Sequence, residues 1–151
     1  MAVVLAATAI AMSSTTLVLS DSPQRSVGDY AVTGDAIVEL LTPEAGNATR
    51  GRRIVLDREA GNCLICHKVP EPAEPFQGDL GPDLGGIGKR LTAGRIRLRL
   101  VDESRLNPLT LMPPYYRVQG LNRVAARYRG KPVLTAQEIE DVVAYLGTLT
   151  Q

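Results

Sequence analysis

Cys63-Leu64-Ile65-Cys66-His67 is the stretch from which the rest of this chain is read. Two thiols one helical turn apart, followed at once by an imidazole, form the attachment spacing of a c-type haem. The sulfurs can add to two vinyl groups on one side of a porphyrin, and the histidine then points at the iron. The 151-residue chain has 2 Cys and 1 His, and all of them stand in this pentapeptide. A closed zinc site takes four Cys or His ligands, more than the chain owns. A redox-active Cys-x-x-Cys pair does not require the adjacent His and usually belongs to a thioredoxin-type βαβ pattern, which the sequence lacks. The expectation is therefore one covalent haem c, held by Cys63 and Cys66 with His67 on the iron.

With no second His available, the other axial position falls first to methionine. Met1 and Met12 lie in the opening segment, which leaves Met112, in Leu111-Met112-Pro113-Pro114. A residue before proline is held out of the helical region, so Met112 belongs on an extended loop from which its thioether can project inward. Core filling is the ordinary alternative for a methionine, and Lys89 and Lys131 are the other ligand candidates. A ligating His needs a fixed acceptor for its second ring nitrogen. Gly81-Pro82-Asp83-Leu84-Gly85 offers one in the Pro82 carbonyl, although the same residues also read as an ordinary turn. Leu84 and Ile87 are then expected at the haem edge. Arg95, Arg97, Arg99 and Arg117 are candidates to pair with haem propionates, set against the commoner fate of a solvated arginine.

Working outward, Asn47 and Thr49 are start signals before Ile54, Val55 and Leu56, with Gly61 as a stop, which predicts a helix over 47–60 leading into Cys63. Asn47-Ala48-Thr49 also matches a glycosylation acceptor, a short pattern that arises by coincidence. Pro70, Pro72 and Pro75 prescribe a loop after the attachment site. Arg95 to Leu100 alternates as a strand would, yet Thr92 can cap a helix, Ile96 and Leu100 lie four apart, and no second alternating run offers a partner. A helix over 92–104 is expected. Thr135-Ala136-Gln137-Glu138 is a capping box followed by Ile139, Val142, Val143 and Leu146 at helical spacing, predicting a helix over 136–148. Leu121, Val124, Ala125 and Tyr128 repeat that spacing between Gly120 and Gly130. The fold class expected is all-α, with three or more helices around one haem, which resembles the class I cytochrome c fold and so implies a last helix packed across the first.

Composition agrees with a domain built around a cofactor. There is no Trp, one Phe and five Tyr, few rings for a core in which aromatics usually supply much of the buried area. A net charge of +1 argues against a nucleic-acid partner, and no unbroken apolar run reaches the roughly 18 residues that spanning a bilayer requires. Residues 1–20 are small and apolar, resembling an export signal, but no Lys or Arg precedes the run Val3 to Ala11. Cleavage near Ala11 and near Ser20 are both open, and a buried N-terminal helix is the alternative. Residues 21–46 carry Asp21, Asp29, Asp35, Glu39 and Glu44 against Arg25 alone, show no sustained period, and read as an extension lying on a surface. Residues 47–151 form the cytochrome domain.

Taken together, Gly61 to His67, Gly78-Asp79-Leu80-Gly81-Pro82-Asp83-Leu84, Asn107-Pro108 through Met112-Pro113-Pro114-Tyr115-Tyr116, and Gly130-Lys131-Pro132-Val133-Leu134-Thr135 leading into Asp141 to Leu146 resemble the SoxX cytochromes. These are the monohaem subunits of the sulfur-oxidising SoxAX complex. The likeness runs over about residues 30 to 149; its haem pieces are general to class I cytochromes c, and the Met-Pro-Pro-Tyr-Tyr loop favours SoxX. It implies a periplasmic, exported protein with His67 and Met112 as axial ligands and a SoxA cytochrome as heterodimer partner. It further implies an electron-transfer subunit of an L-cysteine S-thiosulfotransferase, which couples thiosulfate oxidatively to a cysteine of the SoxYZ carrier. The sulfur chemistry would occur at a SoxA haem, with no catalytic residue in this chain and electrons leaving to an external cytochrome c. The alternative is a free-standing periplasmic electron carrier.

Overall fold

Thr135 caps the last helix as the sequence predicts: its hydroxyl accepts from the Glu138 N–H, and the Glu138 carboxylate accepts from the Thr135 N–H at 2.7 Å. In this computed structural model, which describes residues 28–151, that helix is the fourth. The order is α1 (Ala48–Leu56), α2 (Ile87–Arg90), α3 (Ala93–Asp102) and α4 (Ala136–Thr148), with 3-10 turns at Cys63–Ile65, Glu103–Arg105 and Ala126–Tyr128. Among the described residues the only β pairing is an isolated bridge between Thr33 and Ala36. The export-like segment 1–20 and its cleavage position lie outside the described residues.

Among the described residues, α1 and α4 make the most extensive helix contact, and Gly51 is the reason they can. A Cβ at Gly51 would stand 1.9 Å from the Asp141 carbonyl oxygen, so only a residue without a side chain lets the backbones cross this closely. Arg50 secures the crossing through Nε at 2.6 Å and Nη2 at 2.8 Å from the Asp141 carboxylate. Burial alone would raise the pKa of Asp141, but Arg50, the Asn47 N–H and Gln137 outweigh it and hold this carboxyl below the usual range. Val55, Ile139, Val142 and Leu146 close the core between the helices.

Four expectations are corrected. α1 stops at Leu56, short of Ala60, because the Asp57 carboxylate accepts from the Glu59 N–H at 2.7 Å and the Ala60 N–H at 3.0 Å, a local turn that competes with the helix ladder. α3 ends at Asp102 and finishes in a 3-10 turn. No α-helix forms over 121–128; Gly120 and Arg123 take positive φ values of 65° and 57°, and none of these residues is buried. The extension does more than lie on a surface. Ile37 and Leu41 are core residues, 1% and 3% exposed, and the strap is pinned by a buried pair. Arg97 Nε and Nη2 lie 2.7 and 2.8 Å from the two Glu140 oxygens, its Nη1 donates to the Ile37 carbonyl at 2.7 Å, and Glu140 accepts from the Leu41 N–H at 2.9 Å. These bonds satisfy a charge pair that burial would otherwise make costly.

Candidate cofactor site

The attachment pentapeptide leaves α1 through a sharp corner. Asn62 takes the left-handed conformation at φ 53°, and Leu64, 1% exposed, anchors the Cys63–Ile65 turn in the core. Backbone bonds from the Cys66 and His67 N–H groups to the Cys63 carbonyl, at 3.1 and 2.9 Å, bring both thiols and the imidazole off one turn. The chain beyond then folds back along it. N–H groups of Gly78, Gly81 and Leu84 donate to the carbonyls of Leu64, Cys66 and Lys68 at 2.8, 2.7 and 2.9 Å. The proline-rich loop in between is organised by Gln77, which accepts from the Val69 N–H and donates to the Glu74 carbonyl.

Pro82 is where the sequence places it. Its carbonyl lies 2.7 Å from His67 Nδ1. A carbonyl can only accept, so Nδ1 carries the hydrogen, and in the neutral ring Nε2 is then the nitrogen with a free lone pair, the form a metal ligand needs. Gly81 makes room for the ring: a Cβ there would stand 2.4 Å from His67 Cε1.

Cys63, Cys66, His67 and Met112 line one cavity of about 650 Å³. Leu84, Ile87, Ile96, Leu100, Val142 and Leu146 supply apolar lining, while Lys89 and Lys131 do not line it. Met112 comes from a loop whose turns are held by Asn107 and Thr110, which accept from the Leu109 and Met112 N–H groups at 3.1 Å each. Tyr115 ends that loop. Its N–H donates to the Leu100 carbonyl at 3.0 Å, and its phenol reaches the Gly61 carbonyl at 2.8 Å. Burial raises the phenol's pKa well above its ordinary value, so Tyr115 remains a donor.

Of the four arginines proposed for propionates, only Arg99 lines the cavity. Arg97 is taken by Glu140, Arg117 lies 2.8 Å from Asp102, and Arg95 binds Asp35 through Nε at 2.6 Å. Each was claimed by an acid distant in sequence or across a turn, which helix spacing does not reveal. Sequence reasoning missed Arg90, Asn62, Glu103 and Tyr115 as lining residues. Arg90 donates to the Asp83 carbonyl at 2.7 Å and to the Gly85 carbonyl, bracing the turn that carries Pro82 and Leu84.

These residues fit a covalent haem. The cavity falls in the size range of cofactor sites. Burial pushes the Cys63 thiol up to about 11. That environment penalises a thiolate and leaves an uncharged thioether undisturbed, so it is unsuited to a reactive redox thiol. Asn62 Oδ1 and Glu103 Oε2, both buried without hydrogen-bond partners, also line this cavity.

A helical fold of this order, with one cysteine-histidine turn opening on an apolar cavity, defines a c-type cytochrome of class I. No protein-family model and no curated protein matches the chain. Among solved structures it is similar to SoxXA from P. pantotrophus, with 33% identity and a TM-score of 0.79, covering 85% of this chain and 100% of that one. The c-type cytochrome SorU from Sinorhizobium meliloti is a looser match, at 24% identity and a TM-score of 0.44, covering 68% of this chain and 90% of that one. The chain belongs to the SoxX family of cytochromes. Among the described residues, no helix is long and apolar enough to cross a membrane.

Proposed function

We propose that this chain is the electron-transfer subunit of a SoxAX-type complex, exported to the periplasm. Cys63 and Cys66 would hold one haem c through thioethers, His67 and Met112 would ligate its iron, and the cytochrome domain would span residues 47–151. The observation that carries the reading is the similarity to SoxXA, which spans the whole of the matched chain. The haem supplies a one-electron couple. The chain's own part is to fix its surroundings. Pro82 holds the His67 tautomer, and thioether ligation by Met112 favours the reduced iron over harder ligands. The apolar lining would keep water from the haem, with Leu84 at its edge.

In this reading a SoxA cytochrome is the heterodimer partner. The pair couples thiosulfate oxidatively to a cysteine of the SoxYZ carrier, and electrons pass through this subunit to an external cytochrome c. Sulfur chemistry belongs to the partner: the only two Cys here are in the attachment turn, leaving none to carry sulfur. Isolation of the native protein tests this. A second cytochrome in one-to-one ratio and loss of thiosulfate-dependent growth on gene deletion are expected. A protein that is always monomeric, with thiosulfate growth intact in the deletion strain, would mark a free-standing carrier instead.

A further inference from the structure

Where α3 ends, the Glu103–Arg105 turn sets Glu103 on the lining of the cavity, and its Oε2 is buried with no hydrogen-bond partner. The cation beside it is Arg99, four residues earlier, whose Nε is 3.7 Å away, outside hydrogen-bonding distance. Arg99 is partly engaged elsewhere, since its Nη1 donates to the Arg95 carbonyl at 3.0 Å. The neighbouring acid, Asp102, is differently placed: Arg117 lies 2.8 Å from it and the Ser104 hydroxyl donates to it. From the methionine loop the cavity receives Asn107 and Thr110, which are uncharged, and from α2 it receives Arg90, whose guanidinium is bonded to backbone carbonyls. Glu103 is thus the under-satisfied carboxylate of this cavity. Burial raises its pKa above the ordinary glutamate value, with Arg99 opposing, and a haem in the cavity would remove water that still reaches this wall.

We propose that Glu103 takes up a proton when this cytochrome accepts an electron, so that electron uptake here is coupled to pH. The inference rests on the haem reading above. An electron arriving from the partner's redox centre adds one negative charge to a poorly solvated cavity. A bare carboxylate in its lining is then disfavoured. Glu103 becomes the neutral acid with a proton drawn from solvent, and returns that proton when the electron leaves. The sign follows from linkage. Below its pKa in the oxidised protein Glu103 is protonated throughout, and above its pKa in the reduced protein it is ionised throughout, so the reduction potential is level at both ends. Within the window between the two values the potential falls as pH rises.

Redox titration of the haem-loaded full chain, followed in the visible spectrum from about pH 4 to about pH 9, tests this. The parent should lose potential through the window with a slope approaching one proton per electron. Glu103→Gln, which keeps the shape and removes the proton site, should lose at least half of that slope while its visible spectrum is unchanged. A Glu103→Gln protein that keeps the parental slope, or a parent whose potential does not vary with pH, overturns the proposal. If Glu103→Gln does not fold, redox infrared difference spectra of the parent with isotope-labelled glutamate decide. A carboxylic-acid band that appears on reduction and shifts with the label is expected, and its absence overturns the proposal. A protein made in a competent host that emerges colourless would sink the haem reading itself, whereas a red protein with a level potential sinks only this inference.

Discussion

The attachment segment, residues 62–84, and the methionine loop, residues 107–116, line the same cavity but are held in different ways. Three backbone bonds and the Pro82 carbonyl join the two halves of the first to each other along its length. The second is shaped by turns internal to itself, with Leu109 at 89% and Leu111 at 77% exposure just before Met112, and is moored mainly at its end through Tyr115. The histidine is therefore placed by a segment braced across its whole length, while the methionine is placed by a short loop moored at one end. Substitutions in the first segment should disturb structure and ligation together. Those in the second should separate the two.

The largest expected effect is that of Gly81→Ala. The new Cβ would meet His67 Cε1 at 2.4 Å and Nδ1 at 2.7 Å, and the ring can move aside only by giving up Pro82. Overpacking of this kind costs roughly 1–3 kcal/mol. Thermal unfolding of the haem-loaded protein should show a lowered midpoint together with altered histidine ligation in the visible spectrum. A variant that matches the parent in both would show that the attachment segment yields more readily than its hydrogen bonds imply.

Met112→Ala should divide the two properties. Loss of a partly buried side chain costs about 2 kcal/mol at most, the low end for such truncations, and the Cys63–His67 turn is untouched. Covalent haem should survive on a denaturing gel. The potential should fall, and the charge-transfer band of iron–sulfur ligation should vanish. If spectrum and potential stay parental, Met112 is filler and the loop has no ligand to place.

The contrast also explains what could be read from the sequence. The capping box at Thr135 is local: it needs only residues within a few positions to state its chemistry, and it appears as expected. The Pro82 acceptor, 15 positions from His67, was legible for another reason: a single histidine needs one fixed acceptor, and the Gly-Pro turn offers a carbonyl. Arg97 could not be read that way, because its acid, Glu140, is 43 positions away on another helix. Nor could Ile37 and Leu41, which are buried by a strap that has no period and so announces no face. The segment 121–128 failed in the opposite sense: it has helical spacing, but none of its residues is fully buried, and Arg123 within it takes the left-handed conformation. Glu103 lay in plain view as a charged residue at a helix end. Only the cavity beside it distinguishes it from other surface acids.

The finest test of the comparison is Tyr115→Phe, which removes one hydroxyl from the tie between the two regions. The phenol donates to the Gly61 carbonyl at 2.8 Å, in a buried setting 54 positions away in sequence. The phenylalanine ring keeps the packing, so the cost is that of a buried acceptor left without a donor, about 1 kcal/mol. Because the Tyr115 backbone bonds to Leu100, Val133 and Leu134 remain, the loop should stay in place on average but open more often. Amide exchange measured on the haem-loaded protein should therefore quicken at Leu109, Thr110 and Met112 and hold steady at Gly78, Gly81 and Leu84, whose N–H groups are bound within the attachment segment. Equal acceleration in both regions would mean that they open as one unit, and the distinction between a histidine braced across its segment and a methionine moored at one end of its loop would be lost.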